Sequence, residues 1–88
     1  MIIRELIIQN KLGIHARPAS LLVQMANKFD AEITIVKQGK EINAKSILGV
    51  MMLAAECGST IKFVVKGVDE MVAISELESL VNNKFNED

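Results

Sequence analysis

The sequence predicts an α+β fold in which helices cover one face of an antiparallel sheet. Three observations support this. Four short segments rich in β-branched residues have the composition and alternation of strands. Three further segments have apolar residues at helical spacing, and the resulting order is β-α-β-β-α-β-α. The chain has 88 residues without a linker or repeat, so we expect one domain over residues 1–88.

The first strand is predicted over residues 2–9, with its even-numbered, more apolar side facing the core. Residues 10–14 contain Gly13 and are predicted to form a loop. A helix is expected over residues 16–28, and Pro18 lies in its first turn, where a missing N–H is harmless. Four residues form its apolar face: Ala19, Leu22, Val23 and Ala26.

The middle of the chain has the pattern of a hairpin. Glu32–Lys37 alternates and predicts a strand, and Lys40–Asn43 predicts a shorter one. The two residues between them, Gln38 and Gly39, suit a tight hairpin connection.

A second helix is predicted over the apolar residues 47–55, with Ser46 as its N-cap and Gly58 just beyond its end. Thr60–Lys66 alternates and predicts the fourth strand. A third helix is expected over residues 69–84, beginning at Asp69. The polar residues 86–88 are predicted to be frayed.

Bulk composition excludes several classes of function. With ten basic and eleven acidic residues the net charge is -1, and no basic run is present, so we expect no nucleic-acid binding. Cys57 is the only cysteine, so an intramolecular disulfide and a cysteine metal cluster are excluded. The first eight residues are too short and too charged for a secretion signal, and no apolar run is long enough for membrane insertion. We expect a cytoplasmic protein.

His15 is the only histidine, and it lies at or next to the start of the first predicted helix. A helix N-terminus offers unpaired N–H groups and a partial positive charge, which together favour anions. Arg17, in the first turn, can reach the same anion. The positive field also disfavours the imidazolium, so we expect a neutral, nucleophilic ring at about pH 7. A phosphoryl group on His15 would fit this arrangement.

Other interpretations of His15 are open at this point. A lone histidine at a helix start is often only a solvated polar residue. No second titratable partner stands beside it in the sequence, and no metal-ligand spacing surrounds it, which argues against a hydrolase triad and a metal site. Covalent phosphoryl relay remains the best specific hypothesis.

Residues 13–20, Gly-Ile-His-Ala-Arg-Pro-Ala-Ser, resemble the active-site signature of the HPr family, the histidine-containing phosphocarriers of the bacterial phosphoenolpyruvate:sugar phosphotransferase system. A second motif, Lys-Ser-Ile-Leu-Gly-Val-Met at residues 45–51, strengthens the resemblance. It implies an open-faced β-sandwich with strand order 1-4-2-3 and three helices on one side.

The resemblance also implies that the protein carries a phosphoryl group between other proteins and is not itself an enzyme. His15 would accept a phosphoryl group on Nδ1 from phosphorylated enzyme I and pass it to enzyme IIA proteins in sugar uptake, with Arg17 as its charge partner. The carrier would need no metal and no organic cofactor. We expect partner contacts from exposed residues on the first two helices: Ser20, Gln24, Ile47, Leu48 and Met51.

Ser46 has two compatible roles. It is a predicted N-cap, and the resemblance implies a regulatory phosphorylation site for an HPr kinase/phosphorylase. A phosphate there would add about two negative charges to the docking surface. We expect weaker enzyme I binding without unfolding.

The branch of the family and the rival classes stay open. The ending Phe-Asn-Glu-Asp at residues 85–88 is similar to the nitrogen-regulatory, NPr-type branch. A non-catalytic interaction module on the same scaffold is the alternative from another class, since fold alone does not decide function. An acylphosphatase-like hydrolase would need an arginine anion loop with an asparagine, a pairing the sequence does not suggest. A carrier that docks on two partners in turn is expected to be a monomer.

Overall fold

The computed structural model describes residues 1–87 and confirms the predicted α+β architecture. Four strands form one antiparallel sheet in the order β1-β4-β2-β3. Three helices lie on one face of it. The elements are, in chain order, β1 (Ile2–Ile7), α1 (Ala16–Ala26), β2 (Glu32–Lys37), β3 (Lys40–Asn43), α2 (Ile47–Met52), β4 (Thr60–Lys66) and α3 (Glu70–Asn82).

Alternation along the two central strands creates the sheet side of the core. In β4, Ile61, Phe63 and Val65 are fully buried. Phe63 and Val65 stand opposite the buried Ile35 and Ile33 of β2 in the antiparallel register. The other sides of these strands carry exposed or half-buried residues. Because side chains alternate along each strand, one face of the sheet is covered by the helices and the other face is open.

The helices close the core with one apolar face each. In α1, the buried side chains of Ala19, Leu22 and Ala26 follow the predicted spacing. The third helix buries a longer stripe, made of Ala73, Ile74, Leu77, Leu80 and Val81. Helix α1 packs against both α2 and α3.

The second helix is shorter than predicted. It ends at Met52 rather than at residue 55, and Ala54 adopts a left-handed conformation with φ of 53°. The left-handed residue turns the chain out of the helical path. Beyond it, the carbonyl of Ala55 accepts the backbone N–H of Ile14 at 2.7 Å, which ties this segment to the loop before α1. Gly58, expected just after the helix, instead lies in the turn before β4 and donates to the Ile8 carbonyl at 2.8 Å.

Asp69 precedes α3 as predicted, but its side chain makes no capping bond to that helix. Its carboxylate accepts the backbone N–H groups of Asp30 and Ala31 at 2.8 and 2.9 Å. These bonds lower the pKa of the Asp69 carboxyl, and Lys45 lowers it further through its charge. Asp69 therefore fastens the start of α3 to the start of β2.

The C-terminal segment is ordered, contrary to the prediction of a frayed end for residues 86 and 87. After α3 the chain makes a short turn, Lys84–Asn86, in which all three residues have positive φ, from 54° to 62°. The side chain of Phe85 is fully buried, which anchors the turn to the core. The prediction for residue 88 lies outside the described residues.

Among residues 1–87, no helix combines the length and the apolar character needed to cross a membrane.

Candidate functional site

His15 is the N-cap residue of α1. Its backbone is extended, with φ of -96° and ψ of -165°, and its carbonyl accepts the N–H of Ala19 at 2.9 Å. The side chain makes no capping bond to the helix and is 39% exposed. The imidazole is therefore held beside the helix N-terminus without occupying it, and an incoming group can reach the free amides.

Charges around the helix start favour an anion. The first turn of α1 contains no acidic residue, and the second helical residue is Arg17, which is exposed. Pro18 follows and is buried, so it fixes the first turn against the core. The first turn of α1 therefore offers free backbone amides and one cationic side chain within two residues of His15.

Gly13 allows the loop before α1 to pack closely against the segment after α2. Its φ is +69°, and a Cβ on it would lie 2.6 Å from the carbonyl oxygen of Ala55 and 2.7 Å from the Cα of Glu56. Only a glycine satisfies both the left-handed backbone and the close contact. The position of His15 thus depends on a close backbone contact with the segment after α2.

The structure reveals a partner of His15 that the sequence did not predict. Nε2 of His15 lies 3.0 Å from Oε1 of Glu87, whose side chain is 15% exposed. The hydrogen bond with His15, together with one from Asn10, lowers the pKa of the Glu87 carboxyl, and the charge of Arg17 acts in the same direction. His15 therefore faces a carboxylate as well as the positive field of the helix, and the expectation that only the positive field acts on the ring is incomplete.

Asn10 connects Glu87 to the loop that carries His15. Its buried amide nitrogen donates to the Gly13 carbonyl at 2.6 Å and to Oε1 of Glu87 at 3.0 Å. Within residues 1–87, Oδ1 of Asn10 has no hydrogen-bond partner. No local motif joins residues 10, 15 and 87, because the contacts arise only when the chain end folds back.

The predicted partner-binding residues lie on α1 and α2. On α1, the amide of Gln24 donates to Oγ of Ser20 at 3.1 Å. On α2, the three predicted side chains are all exposed: Ile47 (45%), Leu48 (68%) and Met51 (45%). Since α1 and α2 pack against each other, these residues lie on neighbouring elements.

Ser46 is the N-cap of α2, and its Oγ accepts the N–H of Gly49 at 3.1 Å. The residue is only partly buried. Its hydroxyl therefore stands beside the exposed apolar residues of α2.

The site lies on the surface and not in a cavity. Two depressions of about 490 and 390 Å³ are lined by residues of the β-strands and their connections, and neither includes His15. Across residues 1–87, no group of three or more histidine, cysteine, aspartate or glutamate side chains is arranged to hold a metal ion.

Comparisons with known proteins agree with this geometry. Residues 2–83 match the family model described as "PTS HPr component phosphorylation site". The chain is 48% identical to Phosphocarrier protein HPr of Treponema pallidum (strain Nichols), with the whole of both chains covered. It is also 46% identical to Phosphocarrier protein NPr of Shewanella violacea, over 96% of this chain and 92% of that one.

Solved structures show the same fold. The chain superimposes on HPr-C-His from Thermoanaerobacter tengcongensis with a TM-score of 0.96 at 44% identity, covering 100% of this chain and 99% of that one. An HPr dimer from the same organism matches with a TM-score of 0.80 at 46% identity, covering 93% and 94% of the two chains.

Together with these comparisons, the open-faced β-sandwich and the exposed histidine at a helix N-terminus identify a phosphocarrier protein. The chain belongs to the HPr family of phosphocarrier proteins of the phosphotransferase system.

Proposed function

We propose that His15 accepts a phosphoryl group on Nδ1 from phosphorylated enzyme I and passes it to enzyme IIA proteins in sugar uptake. The observation that carries this proposal is the exposed imidazole of His15 at the N-terminus of α1, inside the segment matched by the family model. Arg17 is the second functional residue in this proposal, as the charge partner of the phosphoryl oxygens.

Electrostatics and position can supply most of what the transfer needs. Phosphoryl transfer depends on alignment and on charge stabilisation more than on covalent assistance from the protein. The amides of the first turn and the guanidinium of Arg17 would meet the phosphoryl oxygens. Since His15 remains exposed, the donor and the acceptor can each supply the rest of the site from their own surfaces.

Docking is assigned to the exposed face formed by α1 and α2. The apolar side chains of Ile47, Leu48 and Met51 provide area that a partner can bury. Ser20 and Gln24 add polar groups on the neighbouring helix. Both enzyme I and enzyme IIA would use this face in turn, and a monomer suits such serial docking.

Ser46 is proposed as a regulatory site for an HPr kinase/phosphorylase. A phosphate on Oγ would add about two negative charges at the N-terminus of α2, where the helix dipole tolerates them. The same charges would lie beside Ile47 and weaken docking on an acidic partner surface. Incubation with the kinase should add one phosphate to the wild type and none to Ser46→Ala; equal uptake by both would exclude Ser46.

A nitrogen-regulatory, NPr-type relay is the second candidate, because the chain is also 46% identical to a relative of that name. The chemistry at His15 is the same in both branches, and only the acceptor differs. Parallel transfer assays with a sugar-specific and a nitrogen-regulatory enzyme IIA distinguish them by the faster acceptor.

The chain would act in the cytoplasm as one domain over residues 1–88, without a metal or organic cofactor of its own. Light scattering at several concentrations tests the monomer. A mass that doubles within the working range would contradict it, and would match the dimer reported for the Thermoanaerobacter protein.

Phosphoenolpyruvate, magnesium and a catalytic amount of enzyme I together test the carrier function. We expect the intact mass of the wild type to rise by one acid-labile phosphate, and that of His15→Ala to stay unchanged. Uptake that survives in His15→Ala, or no uptake by the wild type, would favour the rival interpretation as a non-catalytic interaction module.

A further inference from the structure

The carboxylate of Glu87 faces the ring nitrogen of His15 that is not the proposed nucleophile. The contact joins Oε1 of Glu87 to Nε2 of His15 at 3.0 Å. A carboxylate that keeps its negative charge can only accept hydrogen bonds. The proton in this contact therefore belongs to Nε2, and a neutral ring then has an unprotonated Nδ1.

Two features hold Glu87 in place for this contact. The buried amide of Asn10 donates to the same oxygen, Oε1, at 3.0 Å. The preceding turn has left-handed backbone at three successive residues, and it persists because Phe85 is fully buried. The carboxylate is therefore held from two sides, by Asn10 and by His15, and is only 15% exposed.

We propose that Glu87 is a positioning residue, which holds the proton of His15 on Nε2 and so leaves the lone pair of Nδ1 available to the phosphoryl group. This inference rests on the proposed function of His15. It adds a residue from the opposite end of the chain, 72 positions away, to the transfer site.

When the proton lies on Nε2, the bonds and charges of the transfer step balance. The Nδ1 lone pair forms the nitrogen–phosphorus bond, and the bond from phosphorus to the donor atom of enzyme I breaks with its electron pair returning to that atom. The proton on Nε2 stays in place, so the ring gains positive charge during the transfer. Glu87 stabilises that charge across the hydrogen bond, as the aspartate of a serine-protease triad stabilises its histidine. In the reverse direction, the protonated ring leaves phosphorus as a neutral imidazole.

Nitrogen NMR of the single imidazole tests the assignment. Since His15 is the only histidine, a chain labelled with ¹⁵N-histidine reports one ring, and its two nitrogen shifts give the tautomer. The variants are Glu87→Ala and the isosteric Glu87→Gln. Matched controls are Glu76→Ala and Glu76→Gln, because Glu76 is exposed on α3. Each sample is also assayed for the rate of phosphate uptake from enzyme I, and its amide spectrum verifies the fold.

In the wild type, at a pH that keeps the ring neutral, we expect the Nε2–H tautomer to dominate. Both Glu87 variants should shift population towards the Nδ1–H tautomer, and uptake should slow about fivefold, as expected when a charged acceptor is lost or replaced by a neutral one. The Glu76 variants should match the wild type in both readouts.

Folded Glu87 variants with the wild-type tautomer and rate would overturn the inference while leaving the carrier function intact. A wild type that takes up no phosphate would overturn the proposed function. The tautomer of the unphosphorylated ring would still show whether Glu87 holds the proton, so the two failures are distinguishable.

Discussion

The backbone N–H of Ile14 donates to the carbonyl oxygen of Ala55 at 2.7 Å. This bond joins the loop before α1 to the segment after α2, two parts of the chain that no sheet connects. It fixes the residue next to His15. The position of the proposed nucleophile therefore depends on a tertiary backbone contact as well as on the helix that follows.

Gly13→Ala tests this dependence. The new Cβ would require φ of +69° and would lie 2.6 Å from the Ala55 carbonyl oxygen, so the loops must separate. The left-handed backbone alone costs about 1–2 kcal/mol, and each kcal/mol lowers Tm by about 4–8 °C in a domain of this size. Thermal unfolding measures the loss, and phosphate uptake should slow because His15 moves.

Gly39→Ala is the matched control for that variant. Its φ is +80°, yet a Cβ there has no neighbour within 4 Å among the described residues. Gly39→Ala therefore introduces backbone strain without a steric clash. Equal losses of Tm in the two variants would show that the contact between Gly13 and the Ala55 segment contributes nothing to the stability of the protein.

Arg17→Ala is expected to slow phosphoryl transfer. A hydrogen bond to a charged group contributes about 1.5–3 kcal/mol, which corresponds to roughly a 10- to 150-fold change in rate. Stability should hardly change, because Arg17 is exposed. Arg17→Lys should retain part of the rate, since it keeps the charge but not the bidentate geometry.

Rapid-quench measurement of phosphate uptake gives the rates. Lys28→Ala is the control, because it removes an exposed cation just beyond the other end of α1. A rate for Arg17→Ala equal to that of Lys28→Ala would remove Arg17 from the mechanism.

Ser46→Ala should lower stability independently of any phosphorylation. The variant loses the capping bond from the N–H of Gly49, and loss of an N-cap costs about 1 kcal/mol. Urea unfolding should show a lower midpoint with an unchanged slope. Ser75→Ala, on the exposed side of α3, provides the control and should leave the midpoint nearly unchanged. A Ser46→Ala midpoint equal to that of the wild type would show that the capping bond does not contribute to stability.

Asp69→Asn should destabilise the protein in a pH-dependent way. Folding lowers the pKa of this carboxyl through the N–H groups of Asp30 and Ala31. A carboxyl with a lowered folded-state pKa stabilises the protein above its ordinary pKa, and this stabilisation disappears as the pH falls through the folded-state value. The wild type should therefore unfold at a higher temperature than Asp69→Asn at neutral pH, and the difference should close in acid.

Asp30→Asn controls for the loss of one negative charge, because Asp30 meets Asp69 through its backbone and not through its side chain. Thermal scans from neutral to acidic pH measure all three proteins. A gap between wild type and Asp69→Asn that stays constant over this range would contradict the assigned role of the carboxylate.

Most of the fold could be predicted because short-range patterns determine it. The strands β2, β3 and β4 begin and end where alternation and the Gln38–Gly39 turn place them. Ser46 caps α2 as its sequence context indicates. Strand order required the family resemblance, since alternation does not tell a strand which neighbour it pairs with.

Three differences from the prediction involve contacts between distant parts of the chain. The segment after the early end of α2 bonds to Ile14 through Ala55, and the side chain of Asp69 turns to β2 instead of capping α3. The largest error concerns residue 87, which local composition described as part of a frayed tail. Its contact with His15 depends on burial of Phe85 and on a left-handed turn, and neither has a local signature.

In the proposed function, one nitrogen of one histidine carries the phosphoryl group. The most direct measurement is the phosphorus–nitrogen coupling in the ¹⁵N-histidine-labelled protein after phosphorylation by enzyme I, because His15 gives the only labelled ring. We expect phosphorus to couple strongly to Nδ1, while the proton remains on Nε2. A phosphorylated protein whose phosphorus couples to Nε2, or to neither ring nitrogen, would contradict the account.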